Sequence, residues 1–168
     1  LRTYFEIERT PLESAIIVSA LSQMWIYNVY EVIRVWRNRK NEFEKLKSNC
    51  GIPCKLKCMP DDDIGNISIA VRRSQLERFN EDNTYLEEIS AAWVKLEPVF
   101  ELVTLFRINL AKHCAPGKDN IHPRAPGYGR IDMECGAMNY ELINRHGHYT
   151  YLNRRDIADT LRASLMGS

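Results

Sequence analysis

The feature that most constrains the fold is a long segment of helical periodicity near the start of the sequence. From about residue 14 to 48, apolar residues recur every three or four positions, which places them on one face of a helix. These apolar residues are Val18, Leu21, Trp25, Val29, Val32 and Trp36, continued by Phe43 and Leu46. Such a helix is about 50 Å long. Helices of this length belong to elongated bundles or to dimers, so we expect a mainly α chain.

A second long helix is predicted over residues 84–114. Thr84 and Glu87 form a capping box at its start, and Ala115-Pro116-Gly117 ends it. Pro98 inside the segment predicts a kink or the start of a second segment. The predicted core stripe is Leu86, Ile89, Trp93, Leu96, Phe100, Val103, Arg107, Leu110 and Cys114. The two long segments together predict an antiparallel helical bundle.

The region between the long helices predicts a connector followed by a short element. Residues 49–66 contain two Gly and two Pro and are interpreted as a connector. Residues 67–80 predict a shorter helix with Ile69, Leu76 and Phe79 on one face. A strand over Ile67–Val71 is the alternative.

The C-terminal part of the chain predicts a small β appendage and a last helix. Alternating runs at 138–143 and 148–152, joined by Asn144-Arg145-His146-Gly147, are typical of a β-hairpin. Asn153 caps a terminal helix over 154–165. Because there are no repeats and no long linker, we expect residues 1–168 to form a single domain. The predicted fold class is mainly α, an antiparallel bundle with a C-terminal hairpin and terminal helix.

Composition excludes several classes of protein. The 168 residues are 45% hydrophobic, which excludes a disordered or low-complexity chain. The 23 Lys and Arg against 22 Asp and Glu leave a net charge of +1. A protein that coats nucleic acid non-specifically carries a larger positive excess, so any RNA contact is expected to be local.

Cysteine usage and hydropathy indicate a cytoplasmic protein without a membrane span. The number of Cys is odd, at five, which favours a reducing compartment. The least charged stretch, Ala15–Tyr30, has 16 residues and includes polar side chains, so a buried helix is favoured over a membrane span.

Two groups of metal-ligand residues are weighed and set aside. Cys50, Cys54 and Cys58 are spaced four apart, without a fourth ligand nearby, and are interpreted as incidental thiols. A Cys-ligated metal protein stays an alternative. His146 and His148 flank the predicted hairpin turn and are interpreted as exposed turn residues. We expect no metal and no cofactor.

Arg107 breaks the pattern of the second long helix because it holds a charge on the predicted core stripe. An unpaired buried guanidinium is costly, so Arg107 needs a carboxylate partner, an edge location or a cleft that an anion enters. His113 follows six residues later, where the end of a helix favours a protonated imidazole. Asn109 lies four residues before His113, on the same helical face. These three residues form the candidate catalytic group.

The loop after His113 predicts contacts to single-stranded RNA. Its basic and aromatic residues are Lys118, Arg124, Tyr128 and Arg130. Guanidinium and ammonium groups pair with phosphates, and an aromatic ring stacks on a base. The alternative is a solvated loop whose charges have no ligand.

The segment Arg107-Ile-Asn-Leu-Ala-Lys-His113 resembles the motif of the HEPN superfamily, an Arg and a His separated by four to six residues at the end of a long bundle helix. Members are helical domains that dimerise so that both motifs meet in one cleft, and many are metal-independent endoribonucleases. The resemblance implies that His113 exchanges a proton with a ribose 2′-hydroxyl or a leaving oxygen. It implies that Arg107 holds the phosphate. The family usually has Asn, Asp or His directly after the Arg, whereas this chain has Ile108 there and Asn109 one position later.

The resemblance therefore implies a homodimeric, metal-independent endoribonuclease that acts by 2′-hydroxyl transesterification. The resemblance implies a toxin–antitoxin or phage-defence setting, in which a partner protein neutralises the activity. The alternative is a catalytically inactive module of the same fold that binds RNA or a protein, motivated by Ile108 and by the near-neutral charge.

Overall fold

The computed structural model describes residues 11–60, 66–82, 84–112, 116–117, 120–122, 129–132 and 134–166. Within them the chain is mainly helical with one small antiparallel sheet, as predicted for the fold class. The helices are α1 (Leu12–Ser48), α2 (Ile52–Cys58), α3 (Ile67–Glu81), α4 (Thr84–Lys112) and α5 (Arg154–Met166). The strands are β1 (Gly129–Ile131), β2 (Met138–Ile143) and β3 (Tyr149–Leu152).

The chain divides into two compact units. One, here the sheet unit, comprises Leu1–Ile33 and Leu96–Ser168, and the other, here the helical unit, comprises Arg34–Lys95. Both long helices contribute residues to both units. Each unit has its own buried core, described in turn below.

The core of the sheet unit joins α1, α4 and β2 through aromatic side chains. Tyr30 of α1 stacks on Phe100 of α4 at 5.7 Å between ring centroids. Phe106 meets the ring of Tyr140 on β2 edge to face at 5.1 Å. The Tyr140 hydroxyl then donates a hydrogen bond to the Ser19 carbonyl of α1 at 2.9 Å. Burial of these rings fixes the end of α4 between α1 and the sheet.

The sheet has the order β1-β2-β3, with both pairs antiparallel. The predicted hairpin is confirmed, and its register pairs Glu141 with Tyr151. Strand β1 was missed by the sequence analysis, which assigned these residues to a loop. It pairs Gly129 with Tyr140 and Arg130 with Asn139. A strand of three residues that begins with glycine is too short to show the alternating hydrophobic pattern that predicts a strand.

Asp132 organises the loop between β1 and β2. One oxygen, Oδ1, accepts hydrogen bonds from the backbone N–H groups of Glu134 and Cys135, both at 2.9 Å. The other accepts from the amide of Asn139 at 2.9 Å. The turn closes at Gly136, whose φ of 67° favours glycine. These bonds, of which that from Cys135 has the largest effect, lower the pKa of Asp132 to about 2.

The predicted cap of the terminal helix is confirmed at Asn153. Its Oδ1 accepts hydrogen bonds from the N–H groups of Arg155 and Asp156, at 2.8 and 3.0 Å. The Asp156 carboxylate accepts in return from the Asn153 N–H at 3.1 Å. This reciprocal arrangement satisfies donors that the first turn of a helix leaves free.

The helical unit has a separate core formed by Phe43, Ile52, Leu76 and Phe79. Phe43 and Phe79 stack at 4.2 Å between ring centroids. The prediction of a helix over 67–80 is confirmed, and the strand alternative is wrong. The prediction of a plain connector over 49–66 is wrong in part, because Ile52 is buried and starts α2.

The buried face of the first part of α1 differs from the predicted one. There the buried residues are Ser22, Ile26, Tyr30 and Ile33, whereas the predicted stripe residues Leu21 and Val32 are 56% and 70% exposed. Further along the helix, the predicted Phe43 is buried. The cause is that α1 is apolar around most of its circumference in this stretch, so spacing alone does not select the core face. The predicted stripe is therefore wrong at Leu21 and Val32 and confirmed at Phe43.

Helix α1 is also long and apolar enough to cross a membrane by length and composition. Its best 18-residue window has a mean hydropathy of 1.2, and 22% of that window is buried. A core helix of a soluble protein or an N-terminal signal sequence passes the same test. Among the described residues, α1 is the one helix that passes it.

Helix α4 continues through Pro98 as one element. Proline removes a donor to the carbonyl of residue 94, and Val94 is 67% exposed, so water can satisfy that carbonyl.

At the start of α4, Asp82 accepts hydrogen bonds from the N–H and hydroxyl of Thr84, at 2.8 and 2.7 Å. The Thr84 hydroxyl thus donates to Asp82, a contact that the predicted capping box does not include.

Candidate functional site at the end of helix α4

Arg107 lies on the exposed side of α4, so its predicted place on the core stripe is wrong. The buried residues of this stretch are Val103, Phe106 and Asn109. Of the three solutions foreseen for its charge, the structure shows an edge location. The guanidinium carbon of Arg107 lies 4.9 Å from the ring centroid of Tyr30, a cation–π contact from α4 to α1.

Tyr27 lies beside this contact. Its ring meets Phe106 edge to face at 5.9 Å. Burial raises the pKa of the Tyr27 hydroxyl, while the Arg107 charge opposes that rise. The phenol is therefore neutral at ordinary pH. Arg107, Tyr27 and Tyr30 together form a rim, here the Arg107 rim, of one cation and two phenol rings.

The Arg107 rim is chemically suited to a phosphate. A guanidinium presents five N–H donors in a fixed fork, and the Tyr30 ring holds this group without consuming its in-plane donors. Arg107 is exposed, so these donors face solvent. Between Arg107 and Ala111 no other side chain is ionisable, so Arg107 supplies the charge of this stretch.

Asn109 is buried, with 1% of its surface exposed. Its amide nitrogen donates hydrogen bonds to the carbonyls of Leu105 and Ile143, both at 3.0 Å. Its Oδ1 accepts from the Ile143 N–H at 2.8 Å. These bonds fasten α4 to the end of β2 and use the polar atoms that a substrate would need. The structure therefore gives Asn109 a structural position, not the catalytic one expected from the sequence.

The remaining predicted site residues are divided between described and undescribed parts of the chain. His113, Lys118, Arg124 and Tyr128 lie outside the described residues. The structure describes α4 as far as Lys112, and His113 is the next residue in the sequence. Arg130 lies on β1, where its backbone faces Asn139 of β2 and its side chain is exposed.

Sequence reasoning missed Tyr27 and Tyr30. Both lie on α1, far from Arg107 in the sequence, and neither belongs to the predicted apolar stripe of that helix. The available signal was the spacing of Tyr27 and Tyr30, which places both rings on adjacent positions of one helix face. Their pairing with Arg107 depends on tertiary packing, which no local pattern encodes.

The described residues contain no group of three or more His, Cys, Asp or Glu side chains that could hold a metal ion. Cys50, Cys54 and Cys58 are exposed free thiols. His146 and His148 lie on the exposed hairpin turn with 6.3 Å between ring centroids. The turn is organised by Asn144, whose side-chain oxygen accepts from the backbone N–H groups of both histidines.

No protein-family model, curated protein or solved structure matches this chain.

Proposed function

We propose that this chain is a HEPN-like, metal-independent endoribonuclease in which Arg107 and His113 carry the chemistry. The observation that supports it is the Arg107 rim: a solvent-facing guanidinium held by Tyr30 near the last described residues of α4, with His113 six residues further along the sequence. This arrangement combines a phosphate-binding cation and a proton-transfer group within seven residues.

The proposed reaction is transesterification within the RNA strand. The ribose 2′-oxygen attacks the adjacent phosphorus, and the bond from phosphorus to the 5′-oxygen breaks. The products end in a 2′,3′-cyclic phosphate and a 5′-hydroxyl. His113 takes the 2′-hydroxyl proton or gives a proton to the leaving oxygen. Arg107 binds the phosphate oxygens as negative charge develops on them, and its fixed fork suits that task.

Tyr27 of the rim offers the RNA a second contact besides the phosphate contact of Arg107. Tyr27 is half-buried, so part of its ring is open to a ligand. RNA-binding proteins commonly stack unpaired bases on aromatic side chains. This favours single-stranded RNA as the substrate, because bases in a duplex are not available for stacking on protein rings. The basic residues Lys118, Arg124 and Arg130, with Tyr128, extend the proposed RNA contact.

We further propose that the protein is a homodimer that pairs through α1. Large apolar side chains on α1 remain more than half exposed: Ile16, Ile17, Leu21, Met24 and Val32. Exposed apolar surface of this extent on a single helix is typical of an interaction surface. A cytoplasmic location and control by a neutralising protein complete the proposal.

Cleavage without metal tests the proposed activity. Purified protein is incubated with a mixed single-stranded RNA pool in EDTA, and the fragment ends are analysed. The expected result is fragments ending in 2′,3′-cyclic phosphate, lost in His113→Ala. The matched control is His122→Ala, which removes an exposed histidine and leaves cleavage unchanged. Equal cleavage by the His113→Ala chain would contradict the assignment of the proton-transfer group.

Sedimentation equilibrium tests the dimer. Val32→Glu places a charge on the exposed apolar surface of α1 and is expected to yield monomers. Val94→Glu is a matched control, because Val94 on α4 is 67% exposed and Val32 is 70% exposed. A Val32→Glu chain with the mass of the wild type would overturn pairing through this surface.

The second candidate is a HEPN-like module that binds RNA or protein without cleaving it. It is favoured by the residues after Arg107: Ile108 is half-buried and apolar, and Asn109 is committed to Ile143. No polar side chain next to Arg107 is therefore left to assist the reaction. RNA binding that is lost in Arg107→Ala, with no cleavage by the folded wild-type protein, would establish this candidate.

A further inference from the structure

A cavity of about 320 Å³ opens on the sheet unit and shares no residue with the Arg107 rim. Its volume lies within the range of small-ligand sites. Its lining combines an indole with three guanidinium groups: Trp25 of α1 with Arg154, Arg155 and Arg162 of α5. Cys135 and Ala158 complete the part of the lining used here. The cavity is thus aromatic on the α1 side and cationic on the α5 side.

No acidic side chain lines this cavity among the described residues. Asp159, one turn along α5, pairs with Nε of Arg155 at 3.2 Å and with Nη1 of Arg162. Each guanidinium has five N–H donors, so these ion pairs leave donors for a ligand and also orient the two groups. The ion pairs of α5 among the described residues involve Arg155 and Arg162 but not Arg154.

The other nearby carboxylates are occupied by backbone donors. Asp156 accepts from the Asn153 N–H at 3.1 Å, and Asp132 accepts from the Cys135 N–H at 2.9 Å. Desolvation and the Asp132 charge raise the pKa of the Cys135 thiol, which is therefore neutral at ordinary pH. Because Asn153 caps α5, an anion in the cavity would be held by the arginine side chains rather than by the helix end.

We propose that this cavity binds a nucleoside 5′-phosphate, with the phosphate on the arginines of α5 and the base against Trp25. Guanidinium forks match phosphate oxygens in pairs, and an indole offers the flat apolar surface on which a base stacks. The lining thus provides a group that binds phosphate and a group on which a base stacks. The ligand is either a free nucleotide or the 5′-phosphorylated end of an RNA strand. The proposal does not depend on the nuclease activity.

The test follows the indole N–H signals of the three tryptophans by NMR in the Arg107→Ala chain, a variant that removes RNA cleavage from the measurement. Trp25→Phe assigns the Trp25 signal. AMP is expected to shift that signal, while adenosine and inorganic phosphate each bind about tenfold more weakly, because each lacks one of the two recognition elements. Absence of a Trp25 shift at millimolar AMP and at millimolar 5′-phosphorylated RNA tetramer would overturn the proposal.

Variants of α5 locate the phosphate. Arg154→Gln and Arg162→Gln are each expected to weaken AMP binding about tenfold. Arg145→Gln, on the exposed hairpin turn, is the matched control and leaves binding unchanged. Arg154→Gln removes no ion pair of the described residues, so its effect does not depend on the stability of α5. Unchanged AMP affinity in both α5 variants would contradict the assigned phosphate site.

RNA tetramers with and without a 5′-phosphate distinguish the two sources of the ligand. Tighter binding of the phosphorylated tetramer than of AMP identifies an RNA end. Tighter binding of AMP identifies a free nucleotide. Equal binding of the two tetramers, each stronger than AMP, would contradict phosphate recognition in this cavity.

Discussion

The two sides of α4 near its end differ sharply, although their residues alternate along the sequence. On one side Asn109 is buried and bonded to Ile143 of β2 through both polar atoms of its amide. On the other side Arg107 is exposed and contacts the ring of Tyr30. The first side holds the helix in place, and the second is open to a ligand.

This difference shows which polar residue of the Arg107–His113 segment is available to bind a substrate. An amide whose donors and acceptor are all used inside the protein cannot also bind a substrate. A guanidinium held by an aromatic face keeps its in-plane donors free for a phosphate. The same helix thus carries a structural residue, Asn109, and a residue available to bind a ligand, Arg107, two positions apart.

The largest effect on stability is expected for Asn109→Ala. The substitution leaves the buried N–H and carbonyl of Ile143 without partners, which destabilises the protein by about 3 kcal/mol. Urea unfolding followed by circular dichroism measures this. Asn28→Ala, at an exposed position of α1, is the matched control and is expected to change stability by less than about 0.5 kcal/mol. A decrease of less than about 1 kcal/mol in the unfolding free energy of Asn109→Ala would contradict a structural role for Asn109.

A smaller loss is expected for Tyr140→Phe. Tyr140 belongs to the buried side, where its hydroxyl bonds the Ser19 carbonyl at 2.9 Å. Removing one such bond costs about 1 kcal/mol, again measured by urea unfolding. Tyr151→Phe, whose hydroxyl lies at 3.4 Å from Glu141 on the exposed face of β3, is expected to change stability little. Equal losses for the two variants would show that burial of the Tyr140 hydroxyl has no effect.

On the exposed side, Tyr30→Leu tests the contact that holds Arg107. Losing a cation–π contact of about 0.5–1 kcal/mol is expected to weaken RNA binding about threefold. Fluorescence anisotropy with a labelled single-stranded RNA measures this on the folded protein. Tyr30→Phe keeps the ring and is expected to bind as the wild type does. Loss of binding in Tyr30→Phe would assign the effect to the hydroxyl instead.

The smallest effect is a pH dependence that belongs to neither side of α4. The pKa of Asp132 in the folded protein is about 2, lower than the ordinary carboxyl value of 3.8, because backbone and side-chain donors stabilise its charge. Its contribution to stability is therefore present above about pH 4 and lost as the pH falls toward 2. Wild type and Asp132→Asn are compared by thermal unfolding across this range. A difference that does not shrink between pH 5 and pH 2 would contradict the prediction.

Much of the fold could be predicted because its signals are local. Asn153 marks the start of α5 through its cap, and Asn144 with Gly147 marks the hairpin turn, where Gly147 has a φ of 83°. These residues act on neighbours in the sequence, so their effects do not depend on packing. Helix α2 and strand β1 were missed because each is short. Their formation depends on tertiary contacts, such as the burial of Ile52 at the start of α2.

Apolar spacing predicted the buried faces of the long helices only in part. Leu21 and Val32 fit the expected stripe of α1 but are exposed, while Ser22 is buried. In α4 the expected stripe is buried at Phe100 and Val103 but is wrong at Arg107, and Phe106 and Asn109 are buried instead. Asn109 follows Val99, Val103 and Phe106 at helical spacing, so it lies on the same face of α4 as these buried residues. That spacing could have indicated that Asn109 is buried.

The most direct test of the division between the two sides is the cleavage rate of Arg107→Ala in EDTA, measured on the same sample as its unfolding free energy. The expected result is a loss of about 10²–10³-fold in cleavage, because a donor to the developing phosphate charge is removed. The unfolding free energy is expected to change by less than about 1 kcal/mol, since Arg107 is exposed. A folded Arg107→Ala chain that cleaves RNA at the wild-type rate would contradict the account.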